Sequence, residues 1–155
     1  MRLEYFQLID RVEAVDSAAG TIRASAQVPT HATIFEGHFP GYPILPGVLL
    51  IESMAQTGGN LVLVLESFAR MPFLAQVEQA KLRRFVEPGA MLAIDASLVH
   101  LGSGYAVTQG KVESNGAVVA EAEIRFRTLP FPSEETRELM LAHARRLGLE
   151  PPMRA

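Results

Sequence analysis

The stretch GHFPGYPILPGVLLIESMAQ, residues 37–56, joins a rigid loop to an apolar helix. Six of the eleven positions from Gly37 to Gly47 are Gly or Pro, a density that excludes regular structure and fixes the backbone path. Pro46 suits the first turn of a helix. The sequence that follows, VLLIESMAQTGGNLVLVLESFA, is apolar around nearly its whole circumference, with a weak point at Gly58-Gly59. Such a helix must be surrounded by protein on most sides, which favours a strongly curved sheet, or a sheet together with a second subunit.

The second half of the chain changes to the two-residue period of β-strands. From Val118 to Thr128, apolar residues alternate with charged ones, which predicts a half-exposed strand. Rougher strand patterns occur at 74–85, 91–99 and 104–113, and turn signals separate them at Pro88-Gly89, Gly102-Ser103-Gly104 and Asn115-Gly116. These runs predict an antiparallel meander, preceded by a strand at Thr21–Val28 and a short helical or irregular lead-in at residues 3–10.

The tail predicts a peripheral helix, because Ser133 can cap it, acids follow in its first turn, and Arg145 and Arg146 fall in its last. One strand, a rigid loop, a buried helix and a run of antiparallel strands together predict an α+β hot-dog fold, in which a curved sheet wraps a long central helix. We expect a single domain over residues 1–155, with a core of about 1–128 and a C-terminal helical extension of about 129–155.

Composition narrows the function classes. The chain has 155 residues, 48% of them hydrophobic and 20% charged, which is typical of one globular domain. A net charge of −3 gives no global attraction for nucleic acid or anionic lipid, and the absence of cysteine excludes disulfides, thiolate metal sites and a cysteine nucleophile. Polar residues interrupt the apolar runs, so we expect no membrane insertion, and without a secretion signal at the start a cytoplasmic location is the default.

Residues 37–56 closely resemble the active-site motif of bacterial 3-hydroxyacyl-acyl carrier protein dehydratases of the FabZ type. The resemblance includes the His-Phe-Pro-Gly step, the Pro-Gly that opens the helix, a glutamate fourteen residues after the histidine, and Met-Ala-Gln beyond it. The stretch QVEQAKLRRFVEPG, residues 76–89, is similar to a later strand of the family. The resemblance therefore covers about residues 1–128.

The resemblance implies that His38 and Glu52 are catalytic, that the Gly47 backbone N–H binds the thioester carbonyl, and that Gln56 supports Glu52. It also implies a partner, the acyl carrier protein, whose phosphopantetheine arm carries the substrate, and no bound cofactor. The assembly implied is a homodimer or a trimer of dimers, with the His of one subunit opposite the Glu of the other, although the spacing alone allows a site within one chain.

The residue chemistry points the same way. Removing water from a 3-hydroxyacyl thioester requires a base at C2, an acid for the departing hydroxyl, and a donor for the enolate-like oxygen. His38 fits the base, and Glu52 in an apolar helix fits an acid that burial keeps protonated. Gly47 fits the donor, because N–H groups in a first helical turn lack intrahelical partners. Gln56, one helical turn after Glu52, can reach its carboxyl group.

Other candidates are weaker. Lys81, Arg83 and Arg84, with Arg70 before them, form the most basic stretch, which is either a carrier-protein docking surface or a solvated strand face. Phe73 and Leu74 precede that strand, where the family often places aromatics near the acyl tunnel, and core packing is the equal alternative. We interpret His31, His100 and His143 as surface or structural residues, and predict no metal site.

Three departures from the family pattern concern tunnel shape: Gln76 replaces a glycine, Leu82 an aromatic and Phe85 a proline. With the extended tail, they favour a divergent branch for very long acyl chains, for instance in lipid A assembly. The related dehydratase/isomerase class carries aspartate where this chain has Glu52, which argues for dehydration alone. A hot-dog acyl thioesterase and a non-catalytic acyl-binding subunit are the remaining alternatives.

Overall fold

The computed structural model describes residues 1–150. A 3-10 turn at Leu3–Tyr5 precedes all other elements. Three helices follow in chain order, α1 (Ile34–Gly37), α2 (Gly47–Leu65) and α3 (Glu134–Arg146). The strands are β1 (Arg11–Asp16), β2 (Thr21–Gln27), β3 (Arg70–Leu82), β4 (Met91–Gly102), β5 (Tyr105–Ser114) and β6 (Ala117–Pro130).

The six strands form one antiparallel sheet in the order β1-β2-β4-β5-β6-β3. Strands β4, β5 and β6 are consecutive in both sequence and space, which confirms the predicted meander. Asn115 and Gly116 both have positive φ, 51° and 74°, as a tight two-residue hairpin requires. Strand β3 pairs only with β6, so one of its edges is free within the described chain.

The sheet curls around α2. The strand pairings are irregular at several points, including two along β3, between Leu74 and Gln76 and between Glu78 and Lys81. Bulges of this kind bend a strand and increase its twist. The concave face buries alternate β6 residues (Ala120, Ala122, Ile124, Phe126 and Thr128), while the convex face carries charge pairs such as Arg23–Asp95, which holds the pKa of the Asp95 carboxyl below its ordinary value. The predicted hot-dog fold is therefore confirmed.

Two buried hydroxyl groups of helix α2 form hydrogen bonds within the helix itself. Ser53 and Thr57 are fully buried, and their hydroxyls donate to the carbonyls of Leu50 (2.7 Å) and Ser53 (2.8 Å) one turn back. By length and composition Gly47–Leu65 is able to cross a membrane, with a mean hydropathy of 1.5, contrary to the expectation from its polar interruptions. However, 61% of this stretch is buried within the protein, as in a core helix.

Several element boundaries differ from the prediction. Pro46 is the N-cap residue rather than part of the first turn, with ψ 132° outside the helical range, and α2 ends at Leu65. Strand β3 begins at Arg70, so Phe73 and Leu74 lie inside it rather than before it. Strand β1 was not predicted, because its sequence RVEAVD has only one buried residue, Val12, and lacks a clear alternation.

Helix α3 is capped as predicted, since the Ser133 hydroxyl accepts from the backbone N–H of Thr136 at 3.1 Å. The prediction that it is peripheral was wrong for its C-terminal part, where Ala144, Leu147 and Leu149 are buried. Residues 151–155 of the predicted extension lie outside the described residues.

The two glycines of α2 give a matched test of helix packing. A Cβ on Gly58 would lie 2.5 Å from Thr108 Oγ1, whereas one on Gly59 would meet nothing closer than Pro72 Cγ at 3.7 Å. We expect Gly58→Ala to lower the free energy of unfolding by about 1–3 kcal/mol, because β5 must move away. Gly59→Ala should be neutral or raise it by up to ~1 kcal/mol through helix propensity. Urea denaturation measures both, and equal stabilities would contradict the close approach of β5.

Candidate active site

The loop between α1 and α2 holds His38 through its backbone and its ring. The His38 N–H donates to the Ile34 carbonyl and its own carbonyl accepts from the Ile44 N–H, both at 3.0 Å. Phe39 and Tyr42 exchange two further backbone hydrogen bonds at 2.9 Å, and the Phe39 ring stacks on the imidazole with 4.0 Å between centroids. The Gly/Pro-rich sequence thus fixes the position of the histidine.

The hydrogen bond of the His38 ring determines its tautomer. Nδ1 lies 2.9 Å from the Ile44 carbonyl oxygen. A carbonyl can only accept, so Nδ1 carries the proton, and in the neutral ring Nε2 has a free lone pair. The loop therefore leaves Nε2 of His38 free to accept a hydrogen bond or a proton.

Glu52 lies one turn into α2 from the loop and is half-buried. Its Oε1 accepts a hydrogen bond of 3.0 Å from Gln56 Nε2. Gln56 also donates to the Phe6 carbonyl (2.9 Å) and accepts from the Leu8 N–H (3.0 Å). The amide is thus fully engaged, and it fixes the carboxyl group of Glu52 against the N-terminal segment.

Gly47 is the first residue of α2, so its N–H has no acceptor within the helix. A Cβ at this position would collide with the side chain of Leu82 from β3. The absence of a side chain at Gly47 therefore lets Leu82 pack closely against the start of α2. Leu82 is 54% exposed and ends in flexible methyl groups.

His38 and Glu52 line two different cavities of the chain. The His38 cavity has a volume of about 440 Å³ and is also lined by Gly47, Leu82 and Phe85. Leu82 and Phe85 are two of the three positions at which the sequence departs from the family pattern. The Glu52 cavity has a volume of about 400 Å³ and lies between α2, β3 and the N-terminal segment. A single chain thus places the histidine and the carboxylate in separate cavities.

The two candidate tunnel residues, Phe73 and Leu74, differ in their position relative to the cavities. Leu74 lines the Glu52 cavity together with Phe126, its cross-strand partner on β6. Phe73 pairs with Arg127 and is not among the residues that line either cavity. Adjacent strand residues face opposite sides of a sheet, which the sequence pattern did not resolve because both residues are apolar.

Two members of the basic stretch share one acid. Glu121 on β6 accepts from Arg83 at 2.6 Å and lies 3.6 Å from Lys81 Nζ, and the Arg83 hydrogen bond lowers the pKa of the Glu121 carboxyl. Arg84 has no ion pair among residues 1–150 and lies at the His38 cavity with Arg83. Arg70 does not belong with them, because it lies at the opposite end of β3 and binds Thr128.

The three remaining histidines have different surroundings. His31 is exposed, with Nδ1 3.0 Å from the Thr30 hydroxyl, and the His100 ring stacks on Tyr105 at 4.3 Å. His143, interpreted from sequence as lacking supporting neighbours, instead lines the Glu52 cavity beside Met140 of α3. Nothing in the local sequence of the tail indicated this, because the contact joins residues about ninety positions apart.

The family model for the FabA-like domain matches residues 2–123. Among curated relatives, the 3-hydroxyacyl-[acyl-carrier-protein] dehydratase FabZ of Fusobacterium nucleatum is 40% identical over 122 residues, covering 78% of this chain and 85% of the relative. That of Pelotomaculum thermopropionicum is 42% identical over 125 residues, covering 78% and 86%. The chain thus has the FabA-like domain that defines this class of hot-dog proteins. Within the class, it belongs to the FabZ family.

Solved structures share the fold at low identity. A hypothetical thioesterase with coenzyme A from Streptococcus pneumoniae has a TM-score of 0.62 at 17% identity, covering 79% of this chain and 88% of that one. A thioesterase from Haemophilus influenzae has a TM-score of 0.61 at 14% identity, covering 79% of each. At these identities the likeness concerns the hot-dog fold alone.

The three contacts of Gln56 predict a stability effect. Gln56→Ala leaves the N–H of the fully buried Leu8 without its acceptor, so we expect the free energy of unfolding to fall by about 1–3 kcal/mol. Urea denaturation measures the change. Gln109→Ala, on an exposed position of β5, is the matched control and should stay within about 0.5 kcal/mol of wild type. Equal effects of the two substitutions would contradict this anchoring role.

Proposed function

We propose that this protein dehydrates 3-hydroxyacyl thioesters carried on acyl carrier protein, with His38 as the base and Glu52 as the acid. The observation that carries this assignment is the hydrogen bond from His38 Nδ1 to the Ile44 carbonyl, which leaves Nε2 free to accept a proton. The identity to FabZ dehydratases over most of the chain supports the same reaction in fatty acid biosynthesis.

In the proposed reaction His38 Nε2 removes a proton from C2 of the substrate. The electron pair forms the C2–C3 double bond as the C3–O bond breaks, and the carboxyl group of Glu52 protonates the departing hydroxyl, which leaves as water. The products are a trans-2-enoyl thioester and water. Loss of water involves no net oxidation or reduction, and His38 and Glu52 carry out both proton transfers, so the reaction needs neither a redox cofactor nor a metal.

The other site residues have supporting roles in this proposal. The Gly47 N–H, at the positive end of α2, donates to the thioester oxygen as negative charge develops there. Gln56 orients the Glu52 carboxyl group through its 3.0 Å hydrogen bond. Leu74 contributes to the wall of the acyl groove, whereas Phe73 has no role in the groove of its own chain.

We further propose that a complete site forms between two copies of the chain. His38 and Glu52 line separate cavities in one chain, which supports a shared site. The free edge of β3 is thirteen residues long, and such an edge is a template for antiparallel pairing with a second copy. Large apolar side chains are exposed around the His38 cavity: Phe39 (47%), Val48 (67%), Leu82 (54%) and Phe85 (74%).

The acyl carrier protein, the proposed partner, is acidic, and its docking therefore requires local positive charge. Lys81 and Arg83 pair with Glu121, which compensates one of their two charges, whereas Arg84 has no ion pair among residues 1–150 and is the strongest candidate in the basic stretch. It lies at the cavity that contains His38, where the phosphopantetheine arm has to enter. A cytoplasmic location is consistent with this partner. The single hot-dog domain with a C-terminal extension remains our proposal for the whole chain.

A hot-dog thioesterase is the less supported alternative. The thioesterase structures share the fold at 14–17% identity, whereas the FabZ relatives are about 40% identical. A thioesterase would release a free acid and a thiol instead of an enoyl thioester. Product analysis with a 3-hydroxyacyl carrier protein therefore separates the two activities.

Substitution of either member of the pair tests the roles directly. We expect His38→Ala and Glu52→Gln each to lower the rate of enoyl formation by about 10²–10⁴-fold, the effect of losing a general base or acid. Both proteins should remain folded by circular dichroism, because neither side chain is fully buried. Full activity in either variant would remove that residue from its role.

The same two variants test the shared site. When the inactive chains exchange subunits, each mixed dimer contains one site with both residues intact if the pair forms between chains. Activity should then return on mixing. No recovery despite verified subunit exchange would mean that the site forms within one chain.

Charge reversal at Arg84 tests docking. We expect Arg84→Glu to lower kcat/KM for carrier-bound substrate by roughly tenfold at low salt, because electrostatic steering is lost, with a smaller effect at high salt. A pantetheine thioester without the carrier should be processed as by wild type. Arg127→Glu, exposed on β6 opposite Phe73, carries the same charge change about 30 Å along β3 and should affect neither substrate.

Two other results would contradict docking at Arg84. Equal losses with both substrates would mean that Arg84 shapes the cavity. No loss with either would place docking elsewhere, with Arg145 and Arg146 as the next candidates.

A further inference from the structure

The Glu52 cavity continues as a groove along one face of α2. The α2 residues that line it recur every three or four positions: Glu52, Ala55, Gln56, Gly59, Asn60 and Leu63. At 1.5 Å per residue this face extends about 16 Å from the carboxylate. Apolar residues of β3 and β6, among them Met71, Leu74 and Phe126, line the opposite side. A groove of this shape, with Glu52 at one end, suits an extended alkyl chain.

Helix α3 runs alongside this groove. Near its start, Arg137 Nε donates to the Phe68 carbonyl at 2.8 Å, just beyond the end of α2. Just after its end, the Leu147 carbonyl accepts from the Val12 N–H at 2.7 Å, close in sequence to Leu8, which Gln56 holds. The ten residue steps from Arg137 to Leu147 cover about 15 Å of helix, which matches the length of the groove. Thus α3 runs beside the groove rather than across its end.

One face of α3 points into the groove and another into solvent. Met140 and His143, three residues apart, line the cavity that contains Glu52. Leu139, the neighbour of Met140, is 64% exposed. The whole of α3 lies beyond residue 123, where the match to the FabA-like domain ends. This wall is therefore an addition of the present chain to the matched part of the domain.

We propose that α3 forms a side wall of the acyl groove, and that Met140 selects for long acyl chains by contacting the carbons far from the thioester. The inference rests on the proposed function, because it assigns the groove at Glu52 to the acyl chain. Each methylene group that Met140 shields from water adds to the stability of the complex with a long chain. A short chain ends before reaching Met140 and gains nothing from it.

The neighbouring His143 is compatible with an apolar ligand. Partial burial, and secondarily the positive charge of Arg146, lower the pKa of the His143 imidazole. Arg146 Nη2 lies 3.4 Å from His143 Nδ1, and since a guanidinium can only donate, Nδ1 accepts in this contact. The imidazole is therefore neutral at neutral pH, and no charge is buried beside the chain.

The test compares Met140→Glu with Leu139→Glu, two adjacent apolar-to-acid changes on different faces of α3. Deleting α3 is a poor test, because Leu147 and Leu149 are buried in the core and their loss can unfold the protein. Each variant is assayed with purified 3-hydroxybutyryl and 3-hydroxymyristoyl carrier protein. We expect Met140→Glu to lower the ratio of kcat/KM for the long substrate over the short one by at least roughly tenfold. Leu139→Glu should leave this ratio unchanged, and Met140→Leu should retain it.

The outcomes separate the two hypotheses. If the wild-type protein dehydrates neither substrate, the proposed function fails, and the assignment of the groove fails with it. If the wild type is active but Met140→Glu keeps the wild-type ratio, only the role of α3 is overturned. An equal loss with both substrates would also overturn it, since that result means that α3 supports the fold or the reacting groups rather than the distal chain.

Discussion

The need to cover α2 determines the rest of the structure. A nineteen-residue helix with apolar side chains around most of its circumference loses a large hydrophobic free energy if it is exposed to water. A flat sheet covers only one side of such a helix. The bulged and curved sheet β1–β6 covers more, and α3 and the N-terminal segment cover part of what remains. The face that carries Val48, Glu52 and Gln56 is still only partly covered, and that incomplete coverage is where the proposed site and the proposed second copy of the chain meet.

The proposed chemistry uses the same helix. Its first turn brings a backbone N–H without an intrahelical acceptor next to a loop whose Gly and Pro residues hold His38. Its second turn carries Glu52, and its third carries the amide that binds Glu52 and the N-terminal segment together. Packing and chemistry are therefore coupled, because a shift of α2 moves the acid, the amide and the oxyanion donor at once. His38 lies on the loop before α2, and the hydrogen bonds within that loop hold it in place when α2 shifts.

Proteins with different activities share the fold of this chain. The thioesterase structures superpose on most of the chain at 14–17% identity, so the curved sheet around a helix is compatible with different reactions on acyl thioesters. The FabZ relatives share sequence as well, at about 40% identity. Sequence identity therefore distinguishes the two groups of relatives, whereas the fold does not. Helix α3 is a further structural difference from the matched domain. It lines the groove beside Glu52 but not the cavity that contains His38.

Local sequence patterns were sufficient to predict the elements whose signals lie within a short stretch of chain. Periodicity and turn residues identified α2, the β4–β6 meander and the cap of α3, and the motif at residues 37–56 identified the family and the candidate pair His38 and Glu52. The tertiary structure decided what depends on contacts between distant residues. It placed Leu74 but not Phe73 in the groove, paired Lys81 and Arg83 with Glu121, and brought Met140 and His143 beside Glu52. It also put His38 and Glu52 in separate cavities. The hydrophobic pattern predicts which face of an element is buried. The partner of that face depends on chain topology and packing, because the contacting residues are far apart in the sequence.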